Sequence, residues 1–162
     1  MAVFDQYGIR FAYPDDWEQV EERDDLRVTV TIESPEGGLW SVSLMFDGSD
    51  PEDVIDAALD GFREEYDEID IYEGWPNRAD AAETVAGTMG EAELRQVEFV
   101  AEQLINSAWL RAIPLPLYTV FEFYQVNDHF AAADLEELEA ISRSLTVSAD
   151  GMTGGDVLLA GM

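Results

Sequence analysis

The chain has no cysteine and no lysine, only eight arginines and a single histidine, and no segment of eighteen apolar residues. Each absence removes a class of chemistry. Without cysteine there are no disulfides, thiolate metal sites or cysteine nucleophiles, which fits a reducing compartment. Without lysine there is no Schiff base and no Walker-type phosphate lysine. Scattered arginines make no basic patch, so nucleic acid is not an expected partner. No apolar run is long enough to span a membrane, and Met1 to Arg10 shows no basic segment followed by an apolar one. The expectation is a cytoplasmic protein without a membrane span and without a cofactor.

Acid is what the chain has in excess. Thirty-six aspartates and glutamates against eight arginines give a formal charge of -28 across 162 residues. In about 1 M salt the Debye length falls to roughly 3 Å, so repulsion that strains a compact domain at low salt is screened. Carboxylates then hold water and hydrated monovalent cations at the surface, and lysine's apolar stem is missing where such a surface is kept wet. The composition reads as a salt-adapted organism. The chain is no disordered acidic tail, because 47% of it is hydrophobic and 11% aromatic. Its length suits one domain, expected over residues 1–147, with a loose glycine-bearing tail over 148–162.

Alternation predicts strands. Gly8 to Tyr13 runs into the turn Pro14-Asp15-Asp16-Trp17. Val28, Val30 and Ile32 alternate with threonines, then, past Glu36-Gly37-Gly38, Trp40, Val42, Leu44 and Phe46 alternate with Ser41, Ser43 and Met45, giving a hairpin with one buried face. Trp17 and Trp40 are expected in the core. Ser49 or Asp50 is expected to cap a helix that opens at Pro51, runs to about Asp67 and carries Ile55, Leu59, Phe62 and Tyr66 on one stripe; the cap is worth about 1 kcal/mol. A short strand at Ile69 to Tyr72 and a loop from Glu73 to Gly90 follow. Glu91 to Ala112 fits a helix or strands, Leu117 to Val126 a strand, and Leu135, Leu138, Ile141 and Leu145 a second amphipathic helix ending near Ser144.

Gly8-Ile9-Arg10-Phe11-Ala12-Tyr13-Pro14-Asp15-Asp16-Trp17 at the front and Leu138-Glu139-Ala140-Ile141-Ser142-Arg143-Ser144-Leu145-Thr146-Val147 at the back frame residues 4–147. This arrangement resembles the PsbP/Mog-type fold, which includes the DcrB-like proteins. The resemblance implies an α+β fold with a central antiparallel β-sheet flanked by helices, an α/β/α sandwich, and favours strands after Glu91. It also implies an accessory domain that binds other proteins and shares no catalytic motif. An export or lipoprotein signal of the kind many members carry is not expected here.

Three constellations carry chemistry of their own. Tyr72, Trp75 and Arg78 combine aromatics with an arginine, residue types enriched at protein-binding hot spots; the plainer reading of Trp75 is a plug on the sheet edge. Asp128 beside His129 has the form of a carboxylate-oriented base, the alternative being a small hydrolase or divalent-metal protein, although no Gly-x-Ser-x-Gly elbow exists. Asp47, Asp50 and Asp53 surround Gly48 as calcium-loop acids do, and Glu64, Glu65, Asp67, Glu68 and Asp70 form an acidic run; a helix cap and a solvated face account for them without a metal. The leading expectation is a non-catalytic protein-binding domain with a protein partner of unknown identity. Homodimerisation along an exposed sheet edge is the third.

Overall fold

The computed structural model describes residues 1–76, 92–116, 118–127 and 131–147. In chain order these form β1 (Ala2–Gln6), β2 (Ile9–Tyr13), β3 (Glu18–Arg23), β4 (Arg27–Glu33), β5 (Leu39–Met45), α1 (Pro51–Glu65), β6 (Ile69–Glu73), β7 (Glu93–Ala101), β8 (Leu104–Pro114), β9 (Thr119–Asn127), α2 (Ala131–Ser144) and β10 (Thr146–Val147). Seven strands make one antiparallel sheet in the order β3-β4-β5-β9-β8-β7-β6, and β1-β2-β10 make a second. The expected tail at 148–162 lies outside the described residues.

The α/β/α sandwich is overturned. Among the described residues the chain is mostly strand, with two helices against two antiparallel sheets. The helix α1 lies on β7, β8 and β9 on one face of the large sheet. The other face is layered by the three-stranded sheet together with α2, which packs on β2, β5 and β9. The cause lies in residues before Gly8. Ala2–Gln6 fold back on Ile9–Tyr13 through Tyr7 and Gly8, both at positive φ (59° and 83°), the backbone of a two-residue hairpin turn. Phe4, Ile9, Phe11 and Tyr13 then fill from strands a layer expected to be helical.

The hairpin β4–β5 forms with the anticipated buried face, Val30 opposite Val42 and Ile32 opposite Trp40, these four side chains being buried. The stretch after Glu91 is a long β-hairpin, β7 paired with β8 through Glu102 and Gln103. Trp17 and Trp40 are buried, and Trp17 N–H closes its turn on the Pro14 carbonyl at 3.1 Å. Each large core side chain of this kind stabilises the fold by about 1.5–3 kcal/mol.

The expected helix cap is not made. Asp50 stands at the N-cap without a side-chain hydrogen bond, and the Ser49 hydroxyl turns instead to Asp47 Oδ1 at 2.6 Å. The helix stops at Glu65, because Tyr66 is already extended at φ -124°. A second clamp seats α2. Asp134, buried, accepts the Ser34 hydroxyl at 2.6 Å and the Gly38 N–H at 2.9 Å, tying the helix to the β4–β5 turn. A Cβ on Gly38 would stand 2.6 Å from the Asp134 carboxylate, so the turn needs glycine there. No helix among the described residues is long and apolar enough to cross a membrane.

Candidate functional site

Two polar arrangements sit on opposite faces of the large sheet. The first is interior. Arg111 on β8 and Glu122 on β9 are cross-strand neighbours, and Arg111 Nε donates to Glu122 Oε1 at 2.6 Å while Nη2 meets the same oxygen. Trp40 Nε1 donates to Glu122 Oε2 at 2.9 Å, so both carboxylate oxygens are held. The guanidinium also reaches the Ser142 hydroxyl at 3.4 Å and lies 5.1 Å from the Trp75 ring centre. Glu122 is 0% exposed and Arg111 5%. Such a sealed pair is roughly neutral against an apolar replacement, yet losing one partner costs about 3–5 kcal/mol because the other charge is left alone. Its chemistry is consumed internally: it locks β5, β8, β9 and α2 in one arrangement.

The second arrangement is open. A sheet of seven strands at about 4.8 Å spacing is roughly 30 Å wide, and one helix about 10 Å across covers a third of it. The helix α1 crosses β9, β8 and β7; beside it on the same face Ser43 and Met45 of β5 are buried, while Thr29 and Thr31 of β4 and Ser41 of β5 are part-exposed. There Thr29 stands opposite Ser43 and Thr31 opposite Ser41. Between this floor and the first turns of α1 runs a groove of about 540 Å³, walled by Met45, Val54, Ala57, Ala58 and Phe121, with Glu22, Arg27 and Asp53 as its charges.

The groove hydroxyls are hydrogen-bonded within the chain. Thr29 Oγ1 and Ser43 Oγ bond each other at 2.9 Å, and the Ser49 hydroxyl donates to Asp47 at 2.6 Å. Those Ser49 hydroxyl and amide bonds hold the Asp47 carboxyl below its usual value, with Arg27 adding a smaller pull. Arg27 also borders a shallow dip beside Asp24, Asp25, Leu26 and Asp47, so its cation stands among acids. The surface offers hydroxyls, carboxylates and an apolar wall.

The anticipated binding loop is split by the structure. Trp75 points inward at 4% exposure, its Nε1 shared between the carbonyls of Arg95 and Leu110, each 3.1 Å away, and its ring edge-on to Tyr124. Tyr72 is 37% exposed on the edge strand β6, where Glu98, burial and Asp70, in that order, push its hydroxyl above the ordinary tyrosine value. Arg78, Asp128 and His129 lie outside the described residues. Among the described residues no three or more acids or histidines converge as a metal would require. Sequence reasoning missed the groove, although its signal was present: its Thr29 and Ser43 belong to the polar half of the alternation that identified the hairpin.

No family model matches the sequence, and no curated protein matches it. Solved structures do match in shape. The chain is similar to LpqN, a protein involved in cell envelope biogenesis of Mycobacterium tuberculosis, with a TM-score of 0.55 at 14% identity over 86% of this chain and 83% of that one. It is also similar to a protein from Bacteroides thetaiotaomicron, with a TM-score of 0.51 at 16% identity over 90% of this chain and 47% of the other. At such identities the likeness is one of fold alone.

Proposed function

We propose that this chain is a non-catalytic protein-binding or accessory domain of the PsbP/Mog type, working in the cytoplasm of a salt-adapted organism. The observation that supports this most is the half-covered face of the large sheet. Its groove combines an apolar wall with a hydroxyl floor, and the floor hydroxyls are bonded to one another rather than to a base. That surface suits a partner segment that contributes apolar side chains and hydrogen-bond donors, recognised by contact. The buried charges serve the fold, and the surface carboxylates serve the solvent by holding hydrated monovalent cations.

The test is capture in molar KCl. The wild-type chain is expected to retain a specific protein partner, and Ala57→Trp, which fills the groove from an exposed helical position, is expected to lose it without losing fold. A wild-type chain that retains nothing above background defeats the reading. Circular dichroism against KCl, repeated with millimolar calcium or magnesium at matched ionic strength, tests the solvent half. Folding that follows KCl alone supports it, and folding by divalent ions where monovalent salt fails contradicts it.

A further inference from the structure

The large sheet ends in two strands whose outer sides pair with nothing among the described residues, β3 and β6. They are not equivalent. In β6 the register with β7 pairs Ile69 with Phe99, and two flanking bonds fix the phase: Val100 N–H to the Glu68 carbonyl at 3.1 Å and Gly74 N–H to the Leu94 carbonyl at 2.9 Å. Antiparallel bonding alternates, so Asp70 and Tyr72 direct their backbone groups to β7, while Ile69, Ile71 and Glu73 direct theirs outward. On β3 the bond from Asp24 N–H to the Arg27 carbonyl, 2.9 Å, sets the phase that turns Gln19, Glu21 and Arg23 outward.

These phases decide what each edge can accept. An antiparallel strand must bring outward groups against outward groups, and with a second copy the pairing is symmetric about a two-fold axis. On β6 the fully overlapped register centres on Ile71: Ile71 faces the second copy's Ile71, Ile69 faces its Glu73, and Asp70 faces its Tyr72. No acid meets an acid, and each Asp70 carboxylate stands beside a phenolic hydroxyl, an acceptor beside a donor. On β3 the two best-overlapped registers each oppose like charges, Glu21 against Glu21 when centred there and Glu18 against Glu22 when centred on Val20. Like charges directly opposite destabilise a strand pair. Ile69 and Ile71, half-buried beside Val97 and Phe99 under α1, also carry the apolar row out to the β6 edge. Among the edges of this sheet, β6 alone accepts its own copy.

We infer that β6 is a homodimerisation edge, joining two large sheets into one through antiparallel β6–β6 pairing centred on Ile71. Because each copy carries a formal charge of -28, the dimer forms when salt screens the repulsion and weakens as salt is withdrawn. The surface is distinct from the groove at β3–β5, so its failure leaves the groove reading standing.

The experiment is sedimentation equilibrium of the full chain from 0.2 M to 3 M KCl, with amide hydrogen exchange at the same points. A dimer that strengthens with KCl is expected, in which the amides of Ile69, Ile71 and Glu73 gain protection while those of Asp70 and Tyr72 are protected in both states. Tyr72→Asp sets a carboxylate against Asp70 on both sides of the axis and should weaken dimerisation by about tenfold. Adding Asp70→Arg in the same chain should restore it. Ile71→Pro removes an outward N–H that bonds nothing among the described residues, and should abolish the dimer in a variant that circular dichroism shows to be folded. A monomer at every salt concentration, a dimer indifferent to Tyr72→Asp, or protection of the Ile71 amide only by a strand of a different protein overturns the proposal.

Discussion

The two faces of the large sheet solve opposite problems. Toward α2 and the small sheet the described residues are closely packed: Trp40, Tyr124, Ile32 and Leu138 are fully buried, and the Arg111–Glu122 pair there has both carboxylate oxygens occupied. Toward α1 the helix lies over β7, β8 and β9, and beside it the face carries the short side chains of Thr29, Thr31 and Ser41, part-exposed, with Thr29 bonded to the buried Ser43. One face therefore stores stability and the other stays accessible. Substitutions on the dry face should be read in unfolding free energy, and those on the open face in binding.

Breaking the buried pair gives the largest effect. Glu122→Ala leaves Arg111 and Trp40 Nε1 without their acceptor and should cost about 3–5 kcal/mol in denaturant unfolding at high salt, whereas Arg111→Met with Glu122→Leu should recover most of it. A double variant as unstable as the single one would mean that the pair contributes attraction well beyond its desolvation cost. Next comes the α2 clamp. Gly38→Ala drives a methyl against Asp134, and Asp134→Ala takes the acceptor from the buried Ser34 hydroxyl and leaves the Gly38 N–H only Ser34 Oγ; each should cost about 1–3 kcal/mol.

Tyr118→Phe sharpens the same contrast in the other direction. The Tyr118 hydroxyl is buried without a hydrogen-bond partner among the described residues, and burial raises its pKa from the usual 10.0. The folded chain thus keeps a proton that the unfolded chain loses, so stability is level below about pH 10 and falls as pH rises past it. The variant should lose part of that alkaline decline and gain about 1 kcal/mol at neutral pH; an unchanged decline assigns it to other tyrosines. The smallest effect belongs to the open face: Thr31→Ser should move stability by less than about 0.5 kcal/mol, and a larger loss would mark the floor as core.

Where the sequence carried a periodic apolar signal, the elements were legible. The β4–β5 hairpin, the stripe of α1, β9 and the end of α2 at Ser144 all follow from it. The strands β1 and β3 were not legible. In β3 every residue is exposed, so Glu18–Arg23 has no buried alternation to read and is a strand only because β4 offers it a ladder. Ala2–Gln6 buries just Phe4, and its partner is dictated by two left-handed residues, one of them a tyrosine that propensity argues against. The sandwich expectation failed on the first of these omissions, because β1 pairs with β2 in the layer expected to be helical. Ser49 and Asp50 looked alike as caps, and the choice of Ser49 to close on Asp47 instead is a local geometry that composition does not encode. At the site, Tyr72 and Trp75 were both singled out, with Trp75 read more plainly as a plug; what the sequence did not show is where it docks, because the two carbonyls that receive its indole come from β7 and β8, far along the chain.

The most direct test of the contrast between the faces is quantitative partner capture in molar KCl by two folded variants measured side by side. Arg111→Met with Glu122→Leu, which rebuilds the dry interior, should capture as the wild type does, and Ala57→Trp, which fills the open groove, should capture nothing. Loss of capture in the interior variant with full capture by the groove variant would contradict the account.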